Sequence, residues 1–378
     1  MNIFVIQGGI GKHVMFSSLI EKLSETSNEK IIIVSAYPEL FKFHPKVEIS
    51  ASFHEPGFYE KYIQNTDNNI IHTEPYYSNY VKGKTHLIEE WAKLNKIEYT
   101  KDLLPDIYID DFAVEESKRF VSERKQFIIT QFSGGQSPIN MDVNRPHISM
   151  TQKRDYPREL AQNLVFQLNK KYPDITILNY ALPNESTYNL QGTIQIEAPF
   201  LFYVSLLQYC KTYICIDSSL QHFAANRFNK KKGIVLWGGT DPICLGYEKN
   251  INLTNAKDNI HKMRPLCIPM GDIFNSDGSP WRDDDSTSMN INPEMILQNV
   301  DSCIEFNDKI VEDIENVCKN SSIIEVNEKT RNILFSIQYQ IKELNDKYNT
   351  VLQSYIASKD KEGNYNLSGD GKKLVKTV

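Results

Sequence analysis

The chain has 378 residues, 40% of them apolar and 11% aromatic, and a formal net charge of −6. That length suits two domains, and the apolar share is enough for hydrophobic cores. The acidic balance excludes a general attraction to nucleic acid or anionic membrane, so such a partner would need a local basic groove.

In chain order, Ile3 to Ile6 reads as a buried strand, followed by the glycine turn Gly8-Gly9-Ile10-Gly11. A helix follows, with Met15, Phe16, Leu19, Ile20 and Leu23 at helical spacing, and then a second apolar run, Ile31 to Val34. Short strands are expected at Val47–Ile49 and Ile70-Ile71, and an amphipathic helix through Leu87, Trp91 and Leu94. Strand, turn, helix, strand is the βαβ pattern of a parallel sheet covered on both faces. Leu104–Asp111 predicts a strand and then a link, after which the cycle restarts with strand Phe127–Gln131 and the loop Ser133-Gly134-Gly135-Gln136-Ser137. Further elements are helix 158–171, strand Ile175–Leu178, a helix near Leu201–Tyr209, strand Tyr213–Ile216, helix Ser219–Asn226 and strand Gly233–Leu236. A Pro-, Gly- and Asp-rich stretch from Arg264 to Met289 precedes a helix that begins at Pro293.

The expected fold class is therefore α/β, two Rossmann-like doubly wound domains with ligand sites beyond the carboxyl ends of their strands. Expected boundaries are 1–115 for the first domain, 125–305 for the second, a helical extension over 306–358 and a disordered tail over 359–378. Within the extension Ile337, Ile341, Leu344, Tyr348, Val351 and Tyr355 alternate by four and three, which suits either a homodimer arm or a helix packed on its own domain. The six cysteines (Cys210, Cys215, Cys244, Cys267, Cys303 and Cys318) make no C-x-x-C pair, so free thiols are expected, with no zinc and no disulfide framework. Without a signal peptide or an apolar run of roughly 18 residues, a cytoplasmic protein with no stable membrane insertion is expected.

Two segments carry chemistry. The first, Gln7-Gly8-Gly9-Ile10-Gly11-Lys12-His13, resembles the deviant P-loop K-G-G-x-G-K-[ST] of partition-type ATPases. Its first Lys is replaced by Gln7, and His13 stands where a magnesium-ligating Ser or Thr is required. A dinucleotide fingerprint fits less well, because the third glycine position falls on Val14. A tight strand-to-helix turn explains the glycines without any ligand. The second segment is Asp217-Ser218-Ser219-Leu220-Gln221-His222, at the end of a strand and the start of a helix. An Asp there can accept sugar hydroxyls, the serines and helix-start amides can face an anion, and His222 one turn on can reach a phosphate. Taken alone, the segment reads first as an ordinary helix cap.

It is not alone. Asp217-Ser218-Ser219-Leu220-Gln221-His222-Phe223-Ala224-Ala225, a strand, and then Gly239-Thr240-Asp241-Pro242 resemble the D-[TS]-[GS]-x-x-H-x-A-A and G-x-T-[DE]-P elements of glycosyltransferase family 9, the lipopolysaccharide heptosyltransferase group. Ser133 to Ser137 is similar to that family's phosphate-side glycine loop, and Lys153-Arg154-Asp155-Tyr156-Pro157 to its K-R-W-P element. The resemblance covers about residues 1–305 and implies a GT-B fold. It further implies a metal-independent, inverting transfer from a nucleotide-diphosphate sugar, which serves as co-substrate with no other cofactor. The acceptor would be a glycan, a lipid-linked glycan or a modified nucleic-acid base.

The resemblance assigns donor binding to Gly134, Gly135, Gln136, Arg154, Asp217, Ser218, Ser219, His222, Gly239, Thr240 and Asp241, and the acceptor-side loop to Gly9 and Gly11. The family's acidic base is replaced here by Lys12, which leaves the neighbouring His13 as the candidate base by its intrinsic pKa. The alternatives are the P-loop ATPase and a non-catalytic nucleotide-sugar-binding scaffold.

Overall fold

The computed structural model describes residues 2–27, 31–64, 69–73, 80, 84–124, 126–134, 155–181, 187–238, 241–255, 289–320, 365–367 and 374–376. Apolar residues on both faces of β1 (Asn2–Ile6) bury it from Ile3 onward, as befits a central parallel strand. The chain then turns at Gly8, whose φ of +97° favours glycine, into α1 (Ile10–Phe16). A 3-10 turn (Ser17–Leu19) and α2 (Ile20–Ser27) continue the helical run. With β2 (Ile31–Ser35), β3 (Val47–Ser52) and β4 (Asn69–His72) the first lobe forms a sheet of four parallel strands in the order β3-β2-β1-β4. Helix α3 (Leu87–Leu94) buries Leu87, Ile88 and Trp91 against α1 and its neighbours.

Residues 103–110 form no regular element, where a strand was expected, and lead into α4 (Asp111–Arg124), a helix the sequence pattern does not announce. This link is stitched to both lobes. The amide of Asp106 donates to Ser17 Oγ at 2.7 Å, Asn226 Nδ2 donates to the Ile107 carbonyl at 2.8 Å, and the Arg227 amide donates to the Pro105 carbonyl at 2.8 Å. Arg227 also bonds Glu21 at 2.7 Å. Its Nε lies 2.7 Å from Asp106 Oδ1, but the N–H does not point at that oxygen, so the contact is an ion pair and not a hydrogen bond.

The second lobe contains β5 (Phe127–Gln131), α5 (Arg158–Lys171), β6 (Thr176–Ala181), β7 (Ile194–Glu197), α6 (Phe200–Leu206), β8 (Thr212–Ile216), α7 (Ser219–Ala224), β9 (Ile234–Trp237), α8 (Pro242–Leu245), β10 (Ile251–Thr254) and α9 (Pro293–Asn320). Its six strands are parallel in the order β10-β9-β8-β5-β6-β7, two mirrored halves diverging from β5 and β8, as in doubly wound dinucleotide-binding domains. The two-domain GT-B architecture expected from the sequence is thus present. Strands β7 and β10, unforeseen in the sequence, complete its edges.

The chain divides into the compact units Met1–Ile310 and Val311–Val378, and both of these sheets belong to the first. In the second, β11 (Tyr365–Leu367) pairs antiparallel with β12 (Leu374–Lys376), in a stretch where the sequence predicts no order. The heptad-like seam at 337–355 and the Pro-, Gly- and Asp-rich stretch from Arg264, up to its last residue Met289, lie outside the described residues. Cys210, Cys215, Cys244 and Cys303 are buried free thiols. No helix among the described residues is long and apolar enough to cross a membrane.

Candidate functional site

Open parallel sheets bind ligands beyond the carboxyl ends of neighbouring strands whose connections run in opposite directions. The strand orders put these points between β1 and β4 in the first lobe and between β5 and β8 in the second. The residues that follow β1, β5 and β8 are the three loops singled out in the sequence.

After β1, Gln7, Gly8 and Gly9 are exposed, and a Cβ on Gly9 would meet nothing within 4 Å. Lys12 is only 9% exposed and its side chain folds back over Gly8, with Cδ 3.0 Å from where a Cβ on that glycine would sit. The His13 ring is fully buried, with Nδ1 3.0 Å from the Gly9 carbonyl and Nε2 3.2 Å from the Ile6 carbonyl. Both of its nitrogens thus sit against the backbone of the turn.

In the second lobe the amide of Gly134 donates to Asp155 Oδ1 at 2.7 Å, and the Tyr156 amide to the Phe132 carbonyl at 2.8 Å. The glycine loop after β5 and the start of α5 are joined in this way. At the end of β8, Asp217 is 3% exposed and its Oδ1 accepts from Gln221 Nε2 at 2.6 Å, one helical turn on. Gln131 Nε2 donates to Ser218 Oγ at 3.1 Å across the switch point, and Ser219 Oγ lies 3.2 Å from Tyr180 Oη. Asp241 caps α8, accepting from the Ile243 amide at 2.9 Å, and burial raises its pKa. Gly135, Gln136, Arg154, Gly239 and Thr240 lie outside the described residues.

The two switch points meet. Helix α1 packs on α7 so closely that a Cβ on Gly11 would lie 2.7 Å from His222 Cδ2 and 3.1 Å from its Nε2. Gly11 and His222, 211 positions apart by number, therefore touch across the cleft. Sequence reasoning missed the residues behind His222. Tyr247 Oη is 3.0 Å from His222 Nδ1, and the Tyr247 ring lies between those of His222 (centroids 5.7 Å apart) and His86 (5.6 Å). No motif marks Tyr247. The available signal was the strand order, which brings the segment after β9 beside α7.

His86 caps α3 through Nδ1, which accepts from the Ile88 amide at 3.2 Å. The residue as a whole is half-buried, but its Nε2 is covered, and burial lowers its pKa from 6.5 to about 4. Between those values the unfolded chain binds a proton that the folded chain refuses, so stability falls as pH drops from 6.5 toward 4. The expected loss is about 2 kcal/mol, somewhat below the full linkage value because the residue is partly exposed. Denaturant titrations at pH 7 and pH 4.5 (values of about 7 and 4.5 bracket the window) check this. His86→Asn keeps a capping side chain and is expected to flatten that part of the profile.

Among the described residues there is no group of three or more His, Cys, Asp or Glu side chains arranged to hold a metal ion. No protein-family model matches the chain, and no curated protein sequence matches it. Solved structures do. A glycosyl transferase family 9 protein from Veillonella parvula superposes with a TM-score of 0.56 at 11% identity, covering 80% of this chain and 96% of that one. The ADP-heptose lipopolysaccharide heptosyltransferase II of Escherichia coli gives 0.52 at 12% identity, covering 81% and 99%. The iron-containing dodecameric glycosyltransferase TibC of enterotoxigenic E. coli gives 0.52 at 9% identity, covering 82% and 76%. At such identities the likeness is one of fold: this chain shares the two-lobed GT-B architecture of those glycosyltransferases.

Proposed function

We propose that the protein is a glycosyltransferase that moves a sugar from a nucleotide-diphosphate donor to a hydroxyl acceptor. The single observation that carries this reading is the meeting of the two switch points, with Gly11 of one lobe against His222 of the other, at the helix that Asp217 precedes and bonds through Gln221. A donor lying across both sheets would be gripped there by both lobes. Asp217 accepts hydroxyls of the sugar or ribose, and His222, Ser218, Ser219 and Arg154 offset the charge of the departing diphosphate. Gly134, Gly135, Gln136, Gly239, Thr240 and Asp241 border the donor, while Gly9 and Gly11 line the acceptor side. Such a site needs no metal to stabilise the leaving group, and the reaction proposed is inverting. The acceptor is a glycan, a lipid-linked glycan or a modified nucleic-acid base.

The engagement of His13 with two carbonyls and of Lys12 over Gly8 favours a second reading. For His13 to act as base its ring must leave those carbonyls. If it stays, either another group serves as base or the protein is a nucleotide-sugar-binding scaffold without transfer. The ATPase reading gains nothing from this geometry, because His13 offers no hydroxyl to magnesium.

A thermal-shift screen against ADP-, UDP-, GDP- and CMP-sugars tests the proposal, since a ligand that binds only the folded state at 100-fold its Kd stabilises by about 2.7 kcal/mol. One nucleotide class is expected to raise Tm, and Asp217→Ala to remove that rise. No shift with any of the four sinks both the transferase and the scaffold reading. Release of free sugar or of a glycosylated acceptor separates the two.

A further inference from the structure

His222 is a candidate donor-side group that touches both lobes, and its chemistry depends on which ring nitrogen carries the proton. A neutral imidazole donates from one nitrogen and accepts at the other, so the partner of one nitrogen decides what the other can do. Nδ1 lies 3.0 Å from Tyr247 Oη, and Nε2 lies against Gly11 at the mouth of the first-lobe loop.

We propose that Tyr247 is the positioning residue of His222: its hydroxyl donates to Nδ1, holding the imidazole as the Nε2–H tautomer with that N–H turned to the Gly8–Gly11 loop. Three observations on the tyrosine support the direction of the bond. Its ring is wedged between the rings of His222 and His86, which fixes where the hydroxyl points. His86 is itself anchored as the cap of α3, so the wedge has a wall in each lobe. Burial and the nearby Asp217 carboxylate push the Tyr247 pKa well up, so the phenol keeps its proton to donate. The consequence for transfer rests on the glycosyltransferase reading above. An Nε2–H held toward the loop can donate to a diphosphate oxygen as negative charge grows on the leaving group, whereas the other tautomer would present a lone pair and repel it.

The tautomer can be read without any ligand. In full-length protein labelled with 15N-histidine, a two-bond 1H–15N correlation spectrum at neutral pH distinguishes the two forms. The signal of His222 is identified by its disappearance in His222→Gln. The expected wild-type pattern is a protonated Nε2 and an unprotonated Nδ1, and Tyr247→Phe is expected to shift it toward an average of both tautomers. A protonated Nδ1 in the wild type overturns the proposal whether or not the variant folds, and so does an unchanged pattern in folded Tyr247→Phe. With whichever of the ADP-, UDP-, GDP- or CMP-sugars is turned over, Tyr247→Phe is expected to lower kcat by about 10-fold or more, as loss of an orienting partner typically does. KM for the sugar nucleotide is expected to stay nearly constant. A raised KM with normal kcat would instead make Tyr247 a binding residue and overturn its role. If the wild type turns over none of them, the transferase reading fails, and the spectrum alone still decides the tautomer.

Discussion

Gly11→Ala is expected to destabilise the folded chain by about 1–3 kcal/mol, the usual cost of overpacking a tight contact. It is also expected to weaken or abolish any Tm rise produced by a sugar nucleotide. The added methyl would sit 2.7 Å from His222 Cδ2, a distance that forces a neighbour to move. The imidazole is a poor candidate to yield, because Tyr247 holds Nδ1 and α7 is buried along its length. Helix α1 cannot easily yield either, since Lys12 through Phe16 are all buried. The strain therefore falls on the junction between the lobes. Chemical denaturation measures the loss, and a double-mutant cycle identifies its source. In a His222→Ala background the methyl has room, so Gly11→Ala should cost far less there, a coupling of the size seen for residues in contact. Additive losses would mean that the two residues do not meet.

Lys249→Met is expected to leave stability near neutral pH little changed and to remove a rise in stability that the wild type shows at alkaline pH. Lys249 Nζ donates to the Ala224 carbonyl at the end of α7 and to that of Asn229 at 3.0 Å. Burial, reinforced by the charge of Lys230, lowers its pKa from 10.5 to about 7, against a smaller opposing effect of the Cys210 thiol. Between about pH 7 and 10.5 the unfolded lysine binds a proton that the folded one has released, so wild-type stability should climb with pH across that window. The slope approaches about 1.4 kcal/mol per pH unit. Below about pH 7 both states are protonated and the contribution is flat. Urea titrations from neutral to alkaline pH on both proteins, compared as a difference, isolate this group from other titrating residues. Parallel curves would show that the lysine is not buried as described.

The central strands were legible because continuous apolar runs such as Ile31 to Val34 have few other fates. Edge and surface elements were not. Strand β7 reads Ile-Gln-Ile-Glu and is largely exposed, so nothing separates it from a polar loop. Helix α4 buries only Ala113 and Ser117 completely, and its many charges hide the helical period. At the candidate site, Asp217 and His222 stand in one short segment whose chemistry can be read locally. Tyr247, His86 and Gln131 matter through contacts made by distant segments, and no spacing rule reaches them. Gly11 is intermediate. Its presence in a glycine turn was plain, but the imidazole that forbids a side chain there lies 211 positions away.

The stitched link between the lobes has a mechanical consequence. It fastens the residues just past the carboxyl ends of α1 and α7, Ser17 and Asn226, while Gly11 stands near the amino end of α1 and meets His222 in the last turn of α7. The α1 arm therefore pivots at Ser17, and Gly11 lies near its end farthest from the pin. From Gly11 to Ser17 is about six residues, or roughly 9 Å of helix. With an arm that short, a rotation of about 20° at Ser17 moves Gly11 by only about 3 Å, at about 1.5 Å of rise per residue. Admitting a ligand as bulky as a diphosphate thus calls for a larger swing or for releasing the set of contacts that Asp106, Ile107 and Arg227 make with Ser17, Asn226, Glu21 and Pro105, which together act as the latch of the hinge.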